Sequence, residues 1–153
     1  MGTALAAIVS SKLGARIAVQ EQAVTVNHTV QCLHMNSLKH YCVLQGQWTE
    51  LESMHNSLQS TFGVKQCHRI IMADILFREE DFDNLICLIL SILQDGGSLI
   101  WCHEVVSHRD LSMLVDKFTV RFTKRKETKY TIEHIQNCNQ EICLVLFEFS
   151  NKF

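Results

Sequence analysis

The strongest constraint on the fold is a repeated alternation of short apolar strands with helical stretches. It is clearest from CHRIIMAD onward. An apolar run of strand length ends at Asp74, EEDFDNLICLILSILQDGG follows as a helix, SLIWCHEV is again a strand, and DLSMLVDKF is again a helix. Acidic residues open the first of these helices, where negative charge meets the positive end of the helix dipole. Gly96 and Gly97 are expected to stop it. The same alternation runs through the first half. Ala4 to Leu13 is apolar nearly all round and reads as a helix buried against something, ended by Gly14. ARIAVQEQ is a strand in which Ile17 and Val19 lead to Glu21. Val24 to Asn36 is a helix, Tyr41 to Leu44 a strand, and the segment around Glu50 to Leu58 a helix or an ordered loop. The end differs: FTVRFTKR and ICLVLFEFS alternate in the β manner around a polar connection, which reads as a hairpin.

Strands alternating with helices imply a parallel sheet covered on both faces, with right-handed crossovers. Two final strands without a helix between them add an antiparallel edge. The expected fold is therefore α/β, a doubly wound, mostly parallel sheet with an antiparallel C-terminal hairpin. No repeat or linker interrupts the 153 residues, so one domain, 1–153, is expected. Proline is absent altogether, in keeping with a chain dense in regular elements.

Composition narrows the function classes. A net charge of −2 gives no support for bulk nucleic-acid or membrane binding. Seven cysteines, an odd number, read as reduced thiols of a cytoplasmic or nuclear protein. No stretch reaches the length of a membrane span. Gly-x-Ser-x-Gly, P-loop and Cys-x-x-Cys elements are missing, so hydrolase, phosphoryl-transfer and thiol-redox readings lack a basis. The pattern Cys32-x-His34 … His40-x-Cys42 resembles a zinc site but fails geometrically. Two residues apart on a helix, Cys32 and His34 point about 200° from one another, and Cys42 falls inside a buried strand. No metal is expected. The basic run Arg121, Lys124, Arg125, Lys126 and Lys129 reads as the charged guard of an edge strand rather than a nucleic-acid site.

In doubly wound sheets, ligands bind outside the carboxyl ends of the strands. The residues there are Glu21 and Gln22, the loop Gln45 to Trp48, and Ala73–Asp74 with Phe77 just beyond. A glycine before a helix, an acidic residue about 20 positions later and a third polar loop suit an adenosine cofactor. The glycine lets backbone approach the ligand and the carboxylate accepts from ribose hydroxyls. Gly2 and Glu21 hold the first two positions, and Trp48 is placed to lie against an adenine face. The alternative for Glu21 is a solvated turn residue.

These segments resemble seven-β-strand S-adenosylmethionine-dependent methyltransferases. IIMADILFREEDFDNLICLI is similar to the element in which Asp-x-x-aromatic ends that family's fourth strand. GTALAAIVSSKLGARIAVQEQ resembles its glycine loop, first helix and second strand, with Gly2 at the last loop glycine and Glu21 at the ribose-binding acid. VQCLHMNSLKHYCVLQGQW resembles the next helix and third strand. Phe77 followed by EDF points towards the methyltransferase-like protein 23 branch. The resemblance implies a Rossmann-like fold, S-adenosylmethionine as cofactor, and a protein substrate methylated on arginine of histone type, with lysine as the second choice. It implies cofactor contacts from Gly2, Glu21, Trp48 and Ala73, and a place for Asp74 and Phe77 near the methyl acceptor, where the Asp74 carboxylate would orient an incoming amine or guanidinium. The alternative for Asp74 is an acid capping the following helix.

It also implies a gap. The family's first strand and earlier loop glycines precede the position of Gly2, so the chain reads as a truncated form whose first strand is missing. That strand would lie between the second and the fourth. Its loss leaves backbone groups unpaired, at about 1–3 kcal/mol for each one buried. A catalytically inactive chain that acts by binding other proteins is therefore the alternative function.

Overall fold

The computed structural model describes residues 4–73, 81–104, 108–132 and 142–151. The chain divides into two compact units, Met1–Gln66 and Cys67–Phe153.

The first unit holds α1 (Leu5–Lys12), β1 (Ile17–Glu21), α2 (Val26–Met35), β2 (Tyr41–Gln45) and α3 (Leu51–Phe62). β1 and β2 pair in parallel, from Ile17 opposite Tyr41 to Glu21 opposite Gln45. Along β1, Ile17, Val19 and Glu21 are buried while Ala18 and Gln20 face the other way, the period of two that a strand imposes. Ile17 and Val19 join Ala4, Ala7, Ile8, Leu33 and Leu38 in one aliphatic core. α3 packs on β2 and buries Met54 and Leu58. The segment 51–62 is thus a full helix, longer than the sequence suggests. α1 departs from expectation in another way. Ala7 and Ile8 are buried, but Leu5, Val9 and Leu13, spaced four apart, are exposed. Among the described residues, the helix is covered on one side only.

The second unit holds β3 (Cys67–Ala73), α4 (Phe82–Ile92), β4 (Leu93–Glu104), α5 (His108–Arg121), β5 (Phe122–Ile132) and β6 (Ile142–Asn151). Its strand order is β3-β4-β6-β5, parallel between β3 and β4 and antiparallel elsewhere. The expected C-terminal hairpin is β5 with β6. The mostly parallel α/β, Rossmann-like architecture is thus present. Six strands among the described residues form a two-stranded and a four-stranded sheet. Among the described residues, β1 pairs only with β2, and β3 only with β4.

Two boundaries move for identifiable reasons. α4 ends at Ile92, before the glycines, because Leu93 is already extended and opens β4. Gly97 then serves strand packing rather than helix termination. A Cβ there would lie 2.8 Å from the Gln94 carbonyl oxygen and 3.0 Å from that of His68, so a side chain would push β3 and β4 apart. The second shift concerns FTVRFTKR, whose first four residues are helical. Phe118 and Phe122, four apart, stack with ring centroids 5.7 Å apart, a helical spacing that the alternation of the sequence conceals. β5 begins only at Phe122 and takes in KETKYTI, part of the expected connection.

Candidate functional site

β1 delivers two adjacent polar side chains to its carboxyl end, Gln20 and Glu21, and the pleat sends them to opposite faces. Glu21 is only 3% exposed, so the solvated-turn alternative does not hold. Its two oxygens each accept a short hydrogen bond. The Thr25 hydroxyl donates to Oε2 at 2.6 Å, and the Thr29 hydroxyl donates to Oε1 at 2.8 Å. Thr29 sits one helical turn beyond Thr25, so the start of α2 presents both hydroxyls along one side. Burial pushes the Glu21 pKa up, but hydrogen bonds to the charged form, those of Thr25 and Thr29 among them, outweigh it. The result is a pKa below the ordinary 4.5 and a carboxylate that stays ionised at neutral pH. An ionised carboxylate is purely an acceptor, with about four lone-pair sites. Two of these face the threonines, and the carboxylate has further contacts besides.

The opposite side chain, Gln20, meets the loop after β2. Its Nε2 donates to the Gly46 carbonyl at 2.9 Å, and its Oε1 accepts from the Trp48 indole at 3.2 Å. The Gly46 N–H in turn donates to the Glu21 carbonyl at 3.1 Å, extending the parallel ladder by one residue. Gly46 is held to glycine by its backbone conformation, with φ at +139°, and any Cβ there would also displace the Glu50 carboxylate, 2.6 Å away. That carboxylate accepts from the Gln47 N–H at 3.1 Å and closes the loop from its far end. Trp48 is half-buried and held by its N–H.

Of the residues singled out in the sequence, the structure joins Glu21 and Trp48 through Gln20 and Gly46. Ala73, exposed at the end of β3, belongs to the second unit. Gly2, Asp74 and Phe77 lie outside the described residues. Sequence reasoning missed Gln20, Thr25, Thr29 and Glu50. The Thr pair had a signal, hydroxyls four and eight residues after an acid that ends a strand. Gln20 had none, since a glutamine beside the candidate acid is unremarkable until the loop it holds is in view.

The other polar clusters resolve into local pairs. Cys32 Sγ is 3.7 Å from His28 Nε2, His34 Nε2 is 2.7 Å from the Tyr41 hydroxyl, and Cys42 is buried in β2. Cys32, His34 and Cys42 of the zinc-like pattern thus have separate surroundings. Among the described residues no three metal-ligating side chains gather, and no helix is long and apolar enough to cross a membrane. Arg121, Lys124, Arg125 and Lys126 are exposed, at the end of α5 and along the edge strand β5, where Lys124 pairs with Glu127 at 3.0 Å.

No family model matches the sequence, and no curated protein matches it. Solved structures do match. A precorrin-6y C5,15-methyltransferase from Geobacter metallireducens GS-15 is 11% identical with a TM-score of 0.68, over 99% of this chain and 76% of that one. An rRNA methylase from Streptococcus thermophilus is 18% identical with a TM-score of 0.55, over 99% and 83%. A Streptococcus mutans protein in complex with SAH is 18% identical with a TM-score of 0.57, over 97% and 84%. The fold is one that methyltransferases use. At such identities the likeness is one of architecture, and the chemistry has to be argued from the strand ends themselves.

Proposed function

We propose that the chain is an S-adenosylmethionine-dependent methyltransferase that binds its cofactor's adenosine at the carboxyl ends of β1 and β2. The observation that carries this reading is the buried, ionised Glu21 at the end of β1, one strand from a glycine loop that presents a tryptophan. Two features of the structure suit an adenosine. Glu21 is an ionised carboxylate, the kind of acceptor a ribose diol pairs with, and Trp48, half-buried on the neighbouring loop, is the kind of ring a base stacks on. The solved structures of similar fold support the reading, since they include methyltransferases and a complex with SAH.

When bound, the cofactor supplies a sulfonium methyl group open to displacement by a nucleophile. The protein's part in such chemistry is positioning and electrostatics. Glu21 would hold the ribose, Trp48 the adenine, and the Gly46 backbone would let the ligand approach closely. On the sequence resemblance, Gly2 and Ala73 add cofactor contacts, and Asp74 and Phe77 stand near the acceptor, where Asp74 orients the incoming nitrogen. The same resemblance supports a protein substrate in the methyltransferase-like protein 23 manner, arginine of histone type first and lysine second, in the cytoplasm or nucleus.

Titration calorimetry of S-adenosylmethionine into the 153-residue chain tests the core of this reading. Binding near one per chain is expected, and Glu21→Gln should weaken it about tenfold or more through the lost charge-assisted bonds. A folded chain that binds no S-adenosylmethionine, or a variant that binds as well as the parent, sinks the assignment.

One set of observations favours a second reading, a non-catalytic chain that binds other proteins. Among the described residues β1 and β3 each leave one edge unpaired, Ile71 on β3 is 46% exposed, and Leu5, Val9 and Leu13 line the uncovered side of α1. Unpaired edges and apolar stripes are where partners dock. Strong binding of a hydrophobic dye, without cofactor binding, would favour it; a compact monomer with a cooperative melt would count against it.

A further inference from the structure

We infer that Gln20 is a positioning residue for the adenosine side, acting through Trp48 and the Gly46 loop; this rests on the cofactor reading above. A glutamine amide offers one carbonyl oxygen and one NH2 group, and an indole offers a single N–H and no acceptor. Both ends of the Gln20 amide are engaged on the same short loop, Nε2 on the Gly46 carbonyl at 2.9 Å and Oε1 on the Trp48 indole at 3.2 Å. The indole's only hydrogen-bonding direction is therefore fixed from β1. With that edge tied down, the ring cannot turn over or swing away without breaking its bond, so Gln20 decides which surface of Trp48 a base would meet.

The anchor is itself well placed to be rigid. Gln20 belongs to a strand paired residue by residue with β2, Gln20 opposite Leu44, and its neighbour Glu21 receives the Gly46 N–H on its main-chain carbonyl. Gly46 is thus held at both its N–H and its C=O by consecutive residues of β1. Glu50 fixes the next N–H, that of Gln47. A loop secured at three successive groups pays little ordering entropy on ligand binding, which is the advantage of preorganisation. The same two residues divide the work by strand pleat. Glu21 offers the charge on one face, and Gln20 sets the aromatic surface on the other.

The test uses the full chain labelled with 5-fluorotryptophan, which gives one fluorine resonance each for Trp48 and Trp101, assigned with Trp48→Phe. Gln20→Met keeps the length and volume of the side chain and removes both hydrogen bonds. Without cofactor, the Trp48 resonance is expected to shift and narrow in Gln20→Met while that of Trp101 stays in place. S-adenosylmethionine affinity should fall about five- to tenfold, the scale of one to two hydrogen bonds. In a Trp48→Phe background the same Gln20→Met change should lose most of that effect, because the residue it acts through is gone. A Trp48 resonance that does not move overturns the inference. So does a moved resonance with unchanged affinity, or a full Gln20→Met penalty in the Trp48→Phe background. A parent chain that binds no S-adenosylmethionine overturns the cofactor reading and the adenosine role with it, while the fluorine shift, read without ligand, still decides whether Gln20 holds the loop.

Discussion

The two units reach order by different means. In the first, the core is aliphatic and small-sided, Ala4, Ala7, Ile8, Ile17, Val19, Leu33 and Leu38, around a sheet of only two strands. In the second, Trp101, Phe118, Phe122, Phe147 and Phe149 are all at most 1% exposed. Their rings form a continuous cluster with centroids 5.2 to 6.5 Å apart. The cluster follows from strand register: Trp101 lies opposite Phe147 and Leu99 opposite Phe149, and Phe118 from α5 closes over them. The first unit has fewer strands and less bulk to bury, and makes up for it with polar stitching at the end of β1. On the proposed reading, the stitched strand end is where the adenosine is recognised.

Truncations in the two cores give the largest effects and test that contrast directly. Trp101→Ala should destabilise the chain by about 3–5 kcal/mol and Leu33→Ala by about 2–5 kcal/mol, each the transfer loss plus a cavity. Residue-level hydrogen exchange separates them. Trp101→Ala should speed exchange most in β4 and β6, and Leu33→Ala most in β1 and α2. If Trp101→Ala left the second unit's protection intact, the aromatic cluster would not be its foundation.

Much of this organisation is legible in the sequence because it rests on period and punctuation. Ile17-x-Val19-x-Glu21 announces a strand that ends in an acid, and the order of helices and strands follows from the spacing of apolar runs. Failures come where two periods coincide. Phe118, Val120 and Phe122 read equally as alternate strand positions and as positions along a helix, and only the packing of Phe118 on Trp101 and on Phe122 decides. Gly96 and Gly97 look like a helix stop, yet the reason for Gly97 is the approach of β3, a long-range contact no local pattern reports. At the candidate site, Glu21 and Trp48 stood out as residue types suited to an adenosine. Gln20 and the two threonines did not, because their part is to hold other residues, and holding depends on who is across the strand.

The smallest predicted effect concerns the stitching itself, through pH. Glu21 has a folded pKa below its ordinary 4.5, so its carboxylate favours the folded state at every pH above the unfolded value. As the pH falls through the lower, folded value that contribution is lost, since both states then carry the proton. Glu21→Gln has no proton to gain. The parent should therefore be the more stable of the two at neutral pH, by less than either core truncation costs, and the gap should close as the solution is acidified from about pH 6 to about pH 3. Thermal melts of the two proteins across that range measure it. A gap that stays constant would mean that the contacts around Glu21 hold its protonated form as well as its carboxylate. The first unit would then be held at β1 by shape alone, and its contrast with the aromatic unit would reduce to the size of its side chains.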